Sequence, residues 1–205
     1  MLQCARRATS KMWDQFHRGG NMPYGSDGGF VSMNDALDAW EPIAIEVLMD
    51  TAKKYNGFVT YTELSNAVQT RSGIGHKGLL TNWIGSLLQR VIYHCRDHDI
   101  PHLSALCVTA DGTVGSGYSN VPLLLGEVES MSVEELDDHA ARMRLECYRH
   151  FNAELPQGGG EPTLTPKAKS AQEWKRAQAK LAEPPKLCQV HFITLPATGV
   201  CDECH

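Results

Sequence analysis

The residues best suited to chemistry lie at the carboxyl end of the chain. There, Cys188-Gln-Val-His191 is separated by nine residues from Cys201-Asp-Glu-Cys204. Each short hook can place two ligands on one tight turn, and the intervening loop lets the two turns meet around a tetrahedral ion. Because a tail of about twenty residues cannot build a core alone, a metal is the natural way to hold it together. We therefore expect one structural zinc ion, bound by Cys188, His191, Cys201 and Cys204.

Other uses of this tail stay open at the level of sequence. His205 could replace His191 as the fourth ligand, Cys201 and Cys204 could form a redox pair, or the tail could be disordered. The chain has seven cysteines, and its first eighteen residues lack the apolar run of a secretory signal. A cytoplasmic, reducing location is therefore expected, where clustered cysteines more often bind metal than form disulfides.

Histidines recur every four residues at His94, His98 and His102. The first two lie one helical turn apart, a spacing that can chelate a metal, and with Asp97 or Asp99 they suggest a metal-dependent, nuclease-like hydrolase. A proline interrupts the helix before His102, however, and no glutamate stands where a hydrolytic base would. We favour a solvated helix end, where histidines suit the negative pole of the helix dipole. No catalytic residue is assigned.

The elements that must position these residues begin near Ser32, a predicted helix N-cap, and Pro42 predicts the start of a second helix. Next come a short strand at 58–59, a helix that begins with the capping box Thr60/Glu63, a glycine-rich loop and a long helix over 80–95. A strand at 103–108, a two-residue hairpin turn at Asp111-Gly112 and a returning strand to Tyr118 follow. This order predicts an α+β, winged helix-turn-helix-like domain with the hairpin as its wing.

The remaining chain divides into a helix, a linker and the tail. A second capping box, Ser132 with Glu135, starts a helix whose apolar stripe should pack on the core. A basic, mostly solvated helix over 167–181 reads as a spacer. We therefore predict a flexible arm over 1–30, the winged-helix-like domain over 31–152, a linker over 153–185 and a zinc-ribbon-like tail over 186–205.

Charge limits the partners. The net charge of −5 gives no general attraction to nucleic acid, and no apolar run reaches the roughly twenty residues that cross a bilayer. Any contact with double-stranded DNA must come from local basic side chains. Candidates stand before the long helix and in the spacer: Arg71, His76, Lys77, Lys175 and Arg176.

Several strings of the sequence resemble a group of uncharacterised proteins of actinobacteria and their phages. They are Val59-Thr-Tyr-Thr-Glu-Leu64, Asn82-Trp-Ile-Gly-Ser-Leu-Leu88, residues 103–108, 111–118 and 147–156, and Leu195-Pro-Ala-Thr-Gly-Val-Cys-Asp-Glu-Cys204. The resemblance covers nearly everything after residue 40 and implies a bacterial or phage setting, a small α/β domain and a metal-binding tail. This chain departs from the group at His191, where the group has a cysteine.

Three functions remain open. The first is a DNA-associated accessory or regulatory protein of a phage or mobile element, for which the wing, the basic spacer and the zinc tail argue. The second is a protein-interaction adaptor that uses the zinc tail, since both winged helices and zinc ribbons also bind proteins. The third, with the least support, is the metal-dependent hydrolase around His94 to His102.

Overall fold

The structure is a computed structural model that describes residues 22–126, 131–182, 187–196 and 199–204. Most of the predicted arm, residues 1–21, and the alternative ligand His205 lie outside the described residues. The chain forms two compact units, Met1–Ala168 and Lys169–His205. None of the described helices combines the length and apolar character needed to span a membrane.

The secondary structure is mixed α+β, as the sequence predicts, and most of it is helical. In chain order the elements are β1 (Pro23–Tyr24), α1 (Met33–Ala52), β2 (Val59–Thr60), α2 (Tyr61–Ser72), β3 (Gly75–His76), α3 (Ile84–Asp97), β4 (Cys107–Val108), α4 (Asn120–Leu124), α5 (Val133–His150) and α6 (Pro166–Ala182). Strand β1 pairs antiparallel with β3, and β2 pairs parallel with β4. The predicted arm therefore contains a paired strand near its end.

Two helices begin at the capping boxes that the sequence predicts. The Glu63 carboxylate accepts from Thr60 N–H at 2.7 Å, and the Thr60 hydroxyl accepts from Glu63 N–H at 3.2 Å. The same reciprocal pair links Ser132 and Glu135 at 2.8 and 3.3 Å. Because each box satisfies two backbone donors locally, these helix starts can be read from sequence.

The predicted helix start at Pro42 is wrong, because α1 runs unbroken through this proline. The helix loses one backbone hydrogen bond there, which costs about 3 kcal/mol or more in an isolated helix. Burial of apolar side chains offsets the lost hydrogen bond, since Trp40, which precedes Pro42, and Leu48, which follows it, are both fully buried. Trp40 Nε1 also donates to Ile74 O at 3.1 Å.

The predicted strand at 103–108 is mostly a 3-10 turn, Leu103–Leu106, and only Cys107–Val108 is extended. A turn does follow, with Thr109 N–H donating to Thr113 O at 2.8 Å and Gly112 at φ +79°. It is not a type I′ turn, because that type also needs a positive φ at Asp111, which is not among the positive-φ residues.

The predicted returning strand of the wing is not formed. Val114 N–H donates to Asp137 Oδ1 at 2.8 Å, and the Tyr118 hydroxyl lies 3.0 Å from His139 Nδ1. Both partners belong to α5, so the segment after the turn packs on that helix and Tyr118 sits in a 3-10 turn, Ser116–Ser119. Strand β4 is left to pair with β2.

The first half of the predicted linker belongs to the first unit. The Thr165 hydroxyl donates to Gly112 O at 2.6 Å, and the Tyr55 hydroxyl donates to Glu161 O at 3.1 Å. The guanidinium of Arg144, on α5 and almost fully buried, donates to Ala105 O at 3.1 Å and to Thr163 O at 3.0 Å. These contacts make 161–165 part of the packed structure and not a free spacer. The predicted basic helix is confirmed as α6.

The three apolar-face cysteines, Cys95, Cys107 and Cys147, are buried as the sequence predicts. Burial raises the pKa of the Cys95 thiol to about 11, and it raises the pKa of the Cys107 and Cys147 thiols further. A thiol that stays protonated is a poor nucleophile and a poor metal ligand. These side chains are packing residues.

Candidate metal centre

The first hook of the tail is a tight turn closed by backbone hydrogen bonds. Leu187 and Thr194 form an antiparallel bridge, and inside it Cys188 N–H donates to Ile193 O at 2.8 Å. Phe192 N–H donates back to Cys188 O at 2.9 Å, with Phe192 at φ +55°. The chain reverses within six residues, so Cys188 and His191 come to the same side.

The second hook is shorter. Cys204 N–H donates to Cys201 O at 3.1 Å, which sets the two thiols on one turn. Gly199 precedes it at φ +73°, a conformation that glycine adopts without strain. The Cys-x-x-Cys spacing therefore presents both sulfurs to one point.

The four predicted ligands come together. One ligand atom from each of Cys188, His191, Cys201 and Cys204 lies within 4.8 Å of all the others. The Sγ atoms of Cys188 and Cys204 are 3.6 Å apart, and His191 Nδ1 lies 3.8, 3.5 and 3.3 Å from the Sγ atoms of Cys188, Cys201 and Cys204. Around a tetrahedral zinc ion the ordinary bond lengths place two sulfurs about 3.8 Å apart and a sulfur and a nitrogen about 3.6 Å apart. The spacing of the ligand atoms fits one metal ion.

Hydrogen bonds to the Cys188 sulfur favour its negatively charged form, which is the form that binds a cation. Backbone N–H groups of Val190 and His191 both donate to Cys188 Sγ at 3.4 Å. They lower the pKa of the Cys188 thiol to about 6, whereas the bond to Cys188 raises the pKa of Cys204 to about 11. The lowered pKa favours the thiolate form of Cys188, whereas a metal that binds Cys204 must displace its proton.

Among the tail residues that the structure describes, the buried ones are metal-ligand candidates and not large apolar side chains. Cys188 and Cys201 are buried, while His191 and Cys204 are exposed. The large apolar side chains lie outside, with Val190 68%, Phe192 76% and Val200 65% exposed. The described part of the tail is thus organised around its ligand cluster and carries its apolar residues on its surface.

The predicted DNA contacts of the first unit are all engaged within their own chain. Arg71 forms an ion pair with Glu46, and the Lys77 ammonium lies 5.0 Å from the centre of the Tyr24 ring. His76 is buried, and its Nδ1 accepts from Gly78 N–H at 3.0 Å. A phosphate would have to displace these contacts.

The other two predicted DNA contacts, Lys175 and Arg176, lie in the second unit on α6. Both are exposed, and Arg176 Nη2 donates to Gln172 Oε1 at 3.3 Å. Trp174, beside them in sequence, is also exposed. This helix keeps its charges at the surface.

Within the described residues, the histidine run is not part of a group of three or more side chains placed to hold one metal ion. The rings of His94 and His98 stack at 4.0 Å, and His98 Nδ1 lies 2.9 Å from His94 O. His102 is buried, and burial lowers its pKa. Within the described ranges, the tail cluster is the one group of three or more metal-ligating side chains.

Sequence patterns did not indicate a set of buried polar side chains on α5. Asp137, His139 and Arg144 are all buried and bind the segments that precede and follow this helix. Polar residues between the apolar positions of an amphipathic helix were the available signal. Buried polar groups need partners, so such residues indicate where distant chain must dock.

Comparisons of the chain with protein-family models, with curated proteins and with solved structures found no match.

Proposed function

We propose that the chain is a protein-interaction adaptor whose tail binds one structural zinc ion and presents apolar side chains to a partner protein. The observation that carries this proposal is the exposure of large apolar residues in a tail of about twenty residues: Leu187, Val190, Phe192, Ile193 and Val200. A dense exposed apolar set is typical of an interaction site, because solvating it without a partner is unfavourable.

The ligand set supports zinc in a structural role. Three sulfurs and one imidazole nitrogen form the Cys₃His set of closed structural zinc sites. A catalytic zinc site keeps one position for water, whereas four protein ligands fill a tetrahedron. Soft thiolate ligands also disfavour magnesium and calcium. The metal would therefore fix the shape of the tail, and the neighbouring side chains would contact the partner.

The charge of the tail favours a protein partner over nucleic acid. From residue 187 to residue 204 it contains Asp202 and Glu203 but no lysine or arginine. A phosphate backbone would meet repulsion there, because binding to nucleic acid depends on cationic contacts. Phe192 is the one aromatic side chain in this stretch, so stacking on successive bases has little support. We infer a partner with an apolar groove, such as a folded domain that accepts aliphatic side chains.

The zinc proposal is tested by metal analysis of the purified full chain. One zinc per chain is expected, and Cys201→Ser or Cys204→Ser should lose it without unfolding the first unit. His191→Ala should weaken binding at least tenfold, whereas His205→Ala should leave it unchanged. A metal-free protein with a protease-resistant tail would refute the proposal, and the opposite histidine result would assign the fourth ligand to His205.

The adaptor proposal is tested by selecting peptide ligands from a display library against the zinc-loaded chain. Selected peptides should bind Phe192→Ser at least tenfold more weakly, while the zinc content stays at one per chain. Thr194→Ala, an exposed neighbour in the same hook, is the matched control and should bind normally. Peptides that bind Phe192→Ser as tightly as the original chain would count against the adaptor proposal. Tight binding of single-stranded DNA that depends on the tail would also count against it.

A second candidate, DNA association, is favoured by α6. Its exposed face carries one acidic residue, Glu173, against several basic ones, Lys169, Lys175, Arg176 and Lys180. Binding to duplex DNA should weaken with salt, and Lys175→Ala with Arg176→Ala should lower the salt slope by up to about two units. Arg71→Ala with Lys77→Ala tests the predicted site in the first unit by the same slope. A chain that binds no duplex at low salt would exclude this function.

A further inference from the structure

A partly open cavity of 310 Å³ lies in the first unit, between α3 and the chain from Ser104 to Tyr118. Ile84, Leu88 and Ile92, which recur at helical spacing on α3, supply apolar side chains to its wall. The volume is at the lower end of the range of about 300–1,000 Å³ for small-molecule sites, so its ligand must be small.

The lining is uncharged. No aspartate, glutamate, lysine, arginine or histidine is among the residues that line the cavity. A charged ligand would lose its hydration there without gaining an ionic partner, which is costly in a partly buried site. The ligand that fits is therefore neutral.

Hydrogen-bonding groups complete the lining. Burial raises the pKa of the Tyr61 hydroxyl to about 12, so this group keeps its proton at physiological pH and can donate. Ser104 also lines the cavity, and its buried Oγ has no hydrogen-bond partner within the described part of the chain. An unpartnered buried hydroxyl is unfavourable, and a rotamer change that brought the Ser104 hydroxyl to a polar ligand atom would relieve that cost.

Glycines keep the cavity open. A Cβ at Gly85 or at Gly117 would meet no atom within 4 Å, so the space beside each is free. Gly115 and Gly117 line the cavity with backbone atoms, because they have no side chain. The Gly115 carbonyl already accepts from Tyr118 N–H at 2.9 Å, and the Gly117 carbonyl accepts from Asn120 N–H. The groups that can meet a ligand edge are therefore mainly side-chain hydroxyls of the lining, such as those of Thr81 and Ser116.

We propose that this cavity binds a neutral, planar nitrogen heterocycle of the size of a nucleobase. Such a ring has apolar faces, which suit the α3 wall, and an edge of donors and acceptors, which suits the hydroxyl groups of the lining. The site lies in the first unit, and none of its lining residues belongs to the metal cluster of the tail. Base binding at this cavity is therefore independent of the zinc and adaptor proposals.

The test uses the full chain and ligand-observed saturation-transfer NMR with adenine and uracil. Orotate, which is uracil with an added carboxylate, is the matched probe for charge, and indole is the probe for a ring with few polar edge atoms. At least one base should show saturation transfer, with affinity at least tenfold above that of orotate or indole. No transfer to either base, or equal binding of the charged or apolar probe, would overturn the proposal.

Gly85 allows the cavity to be closed without disturbing its wall. Gly85→Phe should fill the space and weaken base binding at least tenfold, whereas Gly85→Ala should stay within about twofold of the original. Both changes replace a helical glycine, so helix propensity favours folding of either variant. If circular dichroism shows that Gly85→Phe is unfolded, Ser116→Trp closes the cavity from its exposed side. Binding that survives a folded blocking variant would overturn the proposal, and Cys201→Ser should bind the base normally.

Discussion

Replacing Gly112 with alanine tests how the segment before α6 is held on the first unit. Gly112 has φ +79°, and a Cβ there would overlap Thr165 Oγ1 and lie 3.2 Å from Lys167 Cβ. The Thr165 hydroxyl is buried and donates to Gly112 O at 2.6 Å. Alanine would therefore strain the backbone and force this hydroxyl away from its acceptor.

The expected loss has two parts. A left-handed conformation costs a non-glycine residue about 1–2 kcal/mol, and a broken buried hydrogen bond costs about 1–3 kcal/mol. Gly112→Ala should therefore lower the free energy of unfolding by about 2–5 kcal/mol. Gly73→Ala is the matched control, because Gly73 has φ +72° and a Cβ there would meet nothing within 4 Å. It should show the backbone cost alone, about 1–2 kcal/mol.

Urea unfolding followed by circular dichroism measures both losses. Thr165→Ala, made alone and together with Gly112→Ala, then isolates the contact, because two changes that break the same interaction should be less than additive by about 1 kcal/mol or more. Equal losses in Gly112→Ala and Gly73→Ala, or strict additivity in the cycle, would refute the role of Thr165.

Two further expectations concern the first unit. Hydrogen bonds from the Thr60 N–H and hydroxyl hold the pKa of the Glu63 carboxyl below its ordinary value. The capping box should therefore stabilise the fold at neutral pH and lose this effect as the pH falls below about 4.3. Glu63→Gln should flatten that part of the curve of unfolding free energy against pH, and an unchanged curve would argue against the box. Arg144→Met should leave the buried Ala105 carbonyl and the half-buried Thr163 carbonyl without this donor and cost about 2–4 kcal/mol in urea unfolding. Arg142→Met, on the exposed side of α5, should cost under about 0.5 kcal/mol, and equal losses would show that Arg144 does not hold the segment.

What could be predicted from the sequence follows from the range of each interaction. The capping boxes join residues three apart, and the metal hooks place each pair of ligands on one turn, so residue types and spacing are enough to find them. The buried faces of the long helices follow from apolar periodicity in the same way. The broad α+β class and the four ligands of the tail were therefore accessible without coordinates.

The errors arose where distant residues decide the local structure. Asp111-Gly112 favours a hairpin by itself, but Asp137 and His139, over twenty residues away, bind the following segment and prevent a returning strand. Pro42 favours a helix start, but burial of α1 on both sides of it keeps the helix whole. Local conformational preferences are weak, and tertiary packing overrides them. No short-range pattern in the sequence predicts these long-range contacts.

The cysteines separate the two units by the physical basis of their folding. In the first unit, Cys95, Cys107 and Cys147 are packed among apolar side chains, and burial keeps them protonated. In the described part of the tail, backbone N–H groups lower the pKa of the Cys188 thiol, the buried Cys188 and Cys201 belong to the ligand cluster, and the large apolar side chains are exposed. The same residue type therefore packs the core of the first unit, and under the zinc proposal it would stabilise the tail by coordination. Because these two contributions respond to different perturbations, chelation should affect the tail while the first unit keeps its core.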